Sequence, residues 1–192
     1  MLKRIFFLFF SVAVLYSCGP SATSGGCTLK GHISLPEYDM AYLCDTGRHP
    51  IDSFTIVDGK FEFAVADSVS QPYALLLQLV DREDSLNRMD MPVMVENGEV
   101  RIALGEYIRI TGTPLNDAVQ HFFDGMQACK DRVMAQTDIT VDEIRNAFSG
   151  FYREQILLNR DNALGSYIYR EYFSRLLPSD REAVESQLNQ EP

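Results

Sequence analysis

The groups in this chain that could do chemistry are few and scattered. After Cys18, cysteine occurs only at Cys27, Cys44 and Cys129. No two of these are spaced as C-x-x-C, so the sequence spells out neither a dithiol redox centre nor a structural zinc site. Cys27 and Cys44 fall on stretches that alternate as strands do, and in an oxidising compartment they could pair as a disulfide. Cys129 sits on the apolar stripe of a helical segment and reads as a small buried hydrophobe, since a reactive thiol needs exposure and a lowered pKa. The three histidines fall on different elements: His32 on the polar face of a strand, His49 in a loop and His121 in a helix. Ser53 or Ser166 could supply a hydroxyl nucleophile, but the G-x-S-x-G elbow is missing. Asp81, Glu83 and Asp84 could offer carboxylates to calcium, yet the stretch has neither the glycine nor the closing glutamate of an EF-hand loop and reads as solvated. The expectation is a protein with no catalytic, cofactor or metal site, acting by binding.

Composition supports a folded chain of one sign of charge. Of 192 residues, 46% are hydrophobic and 23% charged, enough for a real core. The formal charge is −10, and it becomes −12 when residues 1–17, with Lys3 and Arg4, are set aside. Such a chain is repelled by nucleic acid and by anionic lipid, so nucleic-acid binding is excluded as its role.

The amino terminus carries an address. Residues 1–17 have a basic start, an apolar run from Ile5 to Tyr16 broken only by Ser11, and a small residue at the exit. The run is too short to span a bilayer stably. Leu15-Tyr16-Ser17-Cys18 resembles the lipobox of bacterial lipoproteins, although Tyr16 is bulkier than the usual residue there. That resemblance implies cleavage before Cys18, acylation of its sulfur and amino group, and anchoring by several chains at about 0.8 kcal/mol per buried methylene. Residues 18–26 read as a flexible tether. Gly19 to Ala22 lack the acidic residues expected of a surface-export signal, so the expected location is the cell envelope, facing the periplasm.

The elements that must position any site divide the rest into a β-rich part, 27–113, and a helical part, 114–192. Cys27 to Ser34 alternates, with Gly31 interrupting its apolar face where backbone can approach closely. A short strand follows around Ala41 to Cys44, and Tyr73 to Val80 reads as a buried strand. Asp58-Gly59 predicts a two-residue type I′ hairpin that sets Ile56 opposite Phe61 and Phe54 opposite Phe63, all four in the core. Asn97-Gly98 predicts a second hairpin pairing Val95 with Val100, Val93 with Ile102 and Met91 with Leu104, with Glu96 awkwardly opposite Glu99. Tyr107 to Thr111 closes the part. The expected fold is α+β: an antiparallel β-sandwich or barrel of about seven strands followed by a small bundle of about four helices.

Beyond Pro114 the apolar period becomes helical, through Leu115, Val119, Phe122, Met126, Cys129 and Val133. Thr140 and Glu143 form a capping box for a second helix, Asn159 to Asn162 break it, a third carries Leu164, Ile168 and Tyr172, and Ser179 with Glu182 predicts another capping box for the last. Tyr169 falls off the buried stripe and, if exposed, could belong to a contact surface.

Several of these segments, in this order, resemble a domain of unknown function found in envelope lipoproteins, commonly ahead of a thioredoxin-like domain in thiol-disulfide interchange and peroxiredoxin-like proteins. The segments are the strand ending at Gly31, Asp52-Ser53 through Val57-Asp58-Gly59-Lys60-Phe61-Glu62-Phe63, Glu96-Asn97-Gly98, Gly112-Thr113-Pro114-Leu115-Asn116 and Asn162-Ala163-Leu164-Gly165. The resemblance implies fold and address. It implies no catalysis, because the redox chemistry of those proteins belongs to a C-x-x-C pair that this chain does not contain. The expected partners are the membrane, through the lipid on Cys18, and an unidentified protein or small ligand. The alternative is the non-catalytic amino-terminal part of a thioredoxin-like oxidoreductase.

Overall fold

Alternation of buried and exposed side chains runs through β1 (Cys27–Ile33), β4 (Lys60–Ala66) and β7 (Gly98–Leu104), which with β8 (Ile108–Thr111) form one sheet in the order β4-β1-β7-β8. A second sheet takes β2 (Met40–Cys44), β3 (Pro50–Thr55), β5 (Tyr73–Val80) and β6 (Arg88–Val95) in the order β3-β2-β5-β6. These assignments come from a computed structural model that describes residues 25–84 and 86–189; the predicted signal segment, Cys18 and residues 18–24 of the tether lie outside the described residues. Two sheets face each other over one core, so the fold is a sandwich and no closed barrel forms.

Both predicted hairpins are corrected by the strand pairing. The Asp58-Gly59 turn forms, with φ of 51° and 70° and reciprocal Val57–Lys60 backbone bonds of 3.1 and 2.9 Å. Pairing stops there, because each arm has a longer competitor. Ile56 donates its N–H to the Asp39 carbonyl at 2.9 Å and β3 pairs with β2, while β4 pairs with β1 from Lys60 to Ala66. Phe61 and Phe63 are buried as expected, but Phe54 is 38% exposed and Ile56 half-buried. At Asn97-Gly98 the chain also changes sheets: β6 pairs with β5, and β7 runs parallel to β1 with Cys27 beside Gly98 and Ile33 beside Leu104. Val93, Val95, Val100 and Ile102 are all buried, but they belong to opposite sheets of the sandwich and do not pair along a ladder. Glu96 and Glu99 therefore never face one another as paired residues: Glu96 accepts the Leu115 N–H at 2.6 Å, and Glu99 binds Lys30.

Helices α1 (Pro114–Met134), α2 (Val141–Leu158), α3 (Ala163–Tyr172) and α4 (Pro178–Leu188) make a third layer. Helix α1 lies along β6 and β8 and α3 along β5, which is why Met91 to Val95 are buried on both faces of β6. The Thr140–Glu143 capping box is present. The second one is not. Pro178 occupies the first turn of α4 and Leu177 is its N-cap, so Ser179 lies inside the helix. The Leu177 N–H is instead accepted by Ser149 Oγ of α2 at 2.8 Å, and Ser149 donates to the buried Asp180 carboxylate.

The glycines of the family-like segments have physical reasons. A Cβ at residue 31 would overlap the Phe61 ring, which occupies that space. Asn162 caps α3 by accepting the Leu164 and Gly165 N–H groups at 2.9 and 3.2 Å, and a Cβ on Gly165 would strike the Asn159 carbonyl.

Candidate functional site

The helical layer covers the second sheet and leaves the outer face of the first one bare. On that face, residues directly opposite in the ladders share a side. Glu62 is opposite Lys30, Lys30 lies beside Arg101, and His32 is opposite Lys60. Lys30 Nζ sits 2.8 Å from Glu99 and 3.7 Å from Glu62, and Arg101 Nε is 2.8 Å from the other Glu99 oxygen. The hydrogen bond from Lys30, with that from Arg101, holds the Glu99 carboxyl below its usual range, and Glu99 in turn raises the Lys30 ammonium.

Beside this charged row is an open groove of about 520 Å³. Its apolar lining comes from Phe54, Val57, Phe61 and Ile102 with Gly31, and its charged lining from Lys30, Lys60, Arg101, Glu62 and Glu99, with His32. Apolar side chains are open to solvent at its rim. Val57 is 60% exposed, and Phe54 presents an aromatic ring at the edge of β3, a strand exposed on both faces. The size is that of a small-molecule pocket. Lys60 and Val57 owe their places to the Asp58-Gly59 turn, and Phe61 owes its seat to Gly31.

A second cleft of about 540 Å³ lies where α1 and α3 meet the sheets, near Asp90, Tyr107, Gln120, Tyr167 and Tyr172. Its polar groups already hold layers together. Asp90 accepts from Arg48 and Gln78, Arg48 also reaches Glu171 at 2.9 Å, and Gln120 accepts the Ile110 N–H at 2.7 Å. Burial pushes the Tyr172 hydroxyl up to about 12 and Tyr167 still higher. This is a structural seam.

The residues singled out from sequence do not converge. Cys27 and Cys44, the candidate disulfide pair, are free, buried thiols, one on each sheet; burial raises both. Cys129 is buried, with its sulfur 3.8 Å from the Ala147 carbonyl oxygen. His32 lines the groove, His49 bonds Asp45 at 3.1 Å in an exposed loop, and His121 is exposed on α1. Ser53 lies on β3 and Ser166 on α3, and among the described residues neither is hydrogen-bonded to a histidine; the Ser166 hydroxyl donates to the Asn162 carbonyl. Asp81 accepts the N–H groups of Glu83 and Asp84 and the Asn87 amide, while Asp84 accepts the Leu86 N–H, so the acidic stretch orders its own loop. Among the described residues no three His, Cys, Asp or Glu side chains are placed to hold a metal. Tyr169 is half-buried, edge-on to Phe173 at 5.1 Å. Sequence reasoning missed the groove itself. The available signal was Val57, an apolar residue among the charged side chains of its run.

Residues 27–119 match the profile of a domain of unknown function, DUF4369. This segment belongs to the DUF4369 family. No curated protein matches the chain. The DUF4369 match spans the sandwich and closes at Val119, just past Asn116, and the structure gives that boundary a reason. Asn116 is fully buried; its amide donates to the Met94 carbonyl at 2.7 Å and to Thr113 Oγ1 at 2.8 Å and accepts the Met94 N–H at 3.0 Å. It thus continues the ladder at the open edge of β6 by one rung. Asn97 likewise accepts from and donates to the Val69 backbone, both at 2.9 Å. The Glu96-Asn97-Gly98 and Gly112 to Asn116 segments of the DUF4369 domain therefore form one junction that joins sandwich to helix.

Proposed function

We propose that this protein is a lipid-anchored, non-catalytic cell-envelope protein that works as a binding or accessory module, with the groove on the bare face of the DUF4369 sandwich as its contact surface. The observation that carries the reading is the asymmetry of covering: helices bury the outer side of one sheet, while the charged row on the bare face of the other lies beside the solvent-exposed Phe54, on the facing sheet's edge strand β3, and Val57 of the connecting turn. The lipobox-like Leu15 to Cys18 supports the anchoring. The family resemblance supports a link to thiol-disulfide metabolism, in which the module would serve a separate redox partner.

Anchoring is tested by Cys18→Ala: membrane association should fall, and unchanged association through an intact mature amino terminus would refute lipid attachment at that cysteine. The second reading, a non-catalytic part of a thioredoxin-like oxidoreductase, rests on the segment Asn162 to Gly165 resembling the one that precedes thioredoxin domains. The intact mass of the native protein separates the two. A continuation past Pro192 with a redox-active cysteine pair would overturn the stand-alone reading.

A further inference from the structure

The groove is not electrically neutral, and its imbalance points to an occupant. Its basic groups fall into two sets, one close to carboxylates and one without. Lys30 and Arg101 are compensated by Glu99 and Glu62. Lys60 makes no ion pair among the described residues, and the residue directly opposite it across the β1–β4 ladder is His32, another group that can only add positive charge. Glu62, two residues along β4 on the same face, is engaged by Lys30 at 3.7 Å, so neither Lys60 nor His32 has a carboxylate partner among the described residues. Both line the same groove, next to Val57 and Phe54. The His32 ring also lies against the Asp58-Gly59 turn, which places it at the end of the groove where Lys60 begins β4.

Resting on the reading of the groove as the contact surface, we infer that its occupant is a small amphiphilic anion, with an apolar body along Phe54, Val57 and Phe61 and a carboxylate or similar head between His32 and Lys60. The chemistry is complementary at both ends: an apolar body removes about 25 cal/mol per Å² of apolar surface from water, and a charge-assisted hydrogen bond to an ammonium is stronger than a neutral one. A formal charge of −10 disfavours docking of the whole protein on an anionic bilayer, so the occupant is a free molecule rather than a membrane surface.

The test uses the chain from residue 18 onward with Cys18→Ala, so that neither lipid nor detergent competes. Octanoate, octanol and octylammonium are titrated separately while backbone amide shifts are followed by NMR. The expected result is octanoate-dependent shifts at Gly31, His32, Lys60 and Phe61, with affinity roughly tenfold above that of the other two probes, a factor equivalent to about 1.4 kcal/mol. Lys60→Gln should remove that advantage, leaving octanol binding unchanged, and Lys60→Arg should keep it. Equal binding of all three probes in the groove would overturn the anion assignment and leave the contact-surface reading standing. Octanoate shifts elsewhere on the protein, or no shifts with any probe, would overturn both.

Discussion

Removing the Asn116 amide is the sharpest perturbation of the junction between sandwich and helices. In Asn116→Ala, the Met94 N–H and carbonyl lose the partners they have at 3.0 and 2.7 Å. Met94 is fully buried, so water cannot replace them without opening the interface. Each orphaned group costs about 1–3 kcal/mol, and the truncated side chain leaves space besides, so the expected loss is about 4 kcal/mol out of a total stability of about 5–15 kcal/mol. With a urea slope of about 2 kcal/mol/M, the unfolding midpoint should fall by about 2 M. Gln120→Ala is the comparison: Gln120 also accepts an edge N–H, from Ile110, but it is only half-buried. It should cost about 1 kcal/mol. A midpoint shift for Asn116→Ala no larger than that for Gln120→Ala would refute the idea that this side chain extends the sheet in a dry interface.

Three other outcomes follow from the same packing. Gly31→Ala forces the Phe61 ring from its seat and should destabilise by about 1–3 kcal/mol, with partial recovery in Gly31→Ala/Phe61→Leu; calorimetry of these two and of Phe61→Leu alone checks the coupling. Burial raises Tyr172 from 10 to about 12, so the folded state favours the neutral phenol. Its contribution is fully present below pH 10 and lost as pH rises through 12, and phenolate absorbance should show late-titrating tyrosines coincident with loss of helix. Cys27, Cys44 and Cys129 are buried, so a thiol reagent should add nothing to the native chain and three groups to the unfolded chain from residue 19 onward; rapid native labelling would contradict the core assignment.

The elements themselves were legible, because their periods were clean. Thr140 with Glu143, the stripe from Val119 to Val133 and the alternation around Gly31 each name one local structure. Strand partners were not legible. Asp58-Gly59 and Asn97-Gly98 specify reversals of the chain, but a reversal does not say whether its second arm joins the same sheet or crosses to the facing one. Val93 and Ile102 are equally buried either way. Pro178 hid the true start of α4, since the acceptor for the Leu177 N–H comes from Ser149 of another helix. The groove was invisible for the same long-range reason: Lys60 and His32 are far apart in sequence and become neighbours only through the β1–β4 register.

The most direct test of an envelope-anchored binding module is the native mass of the protein released gently from its own membranes, compared with that of Phe54→Asp, which places a carboxylate in the groove at a position already open to solvent. The wild type should carry acyl chains on Cys18 and, in addition, a non-covalent small-molecule increment that Phe54→Asp lacks. A wild-type mass without acyl chains, or the same non-covalent mass in both proteins, would contradict the account.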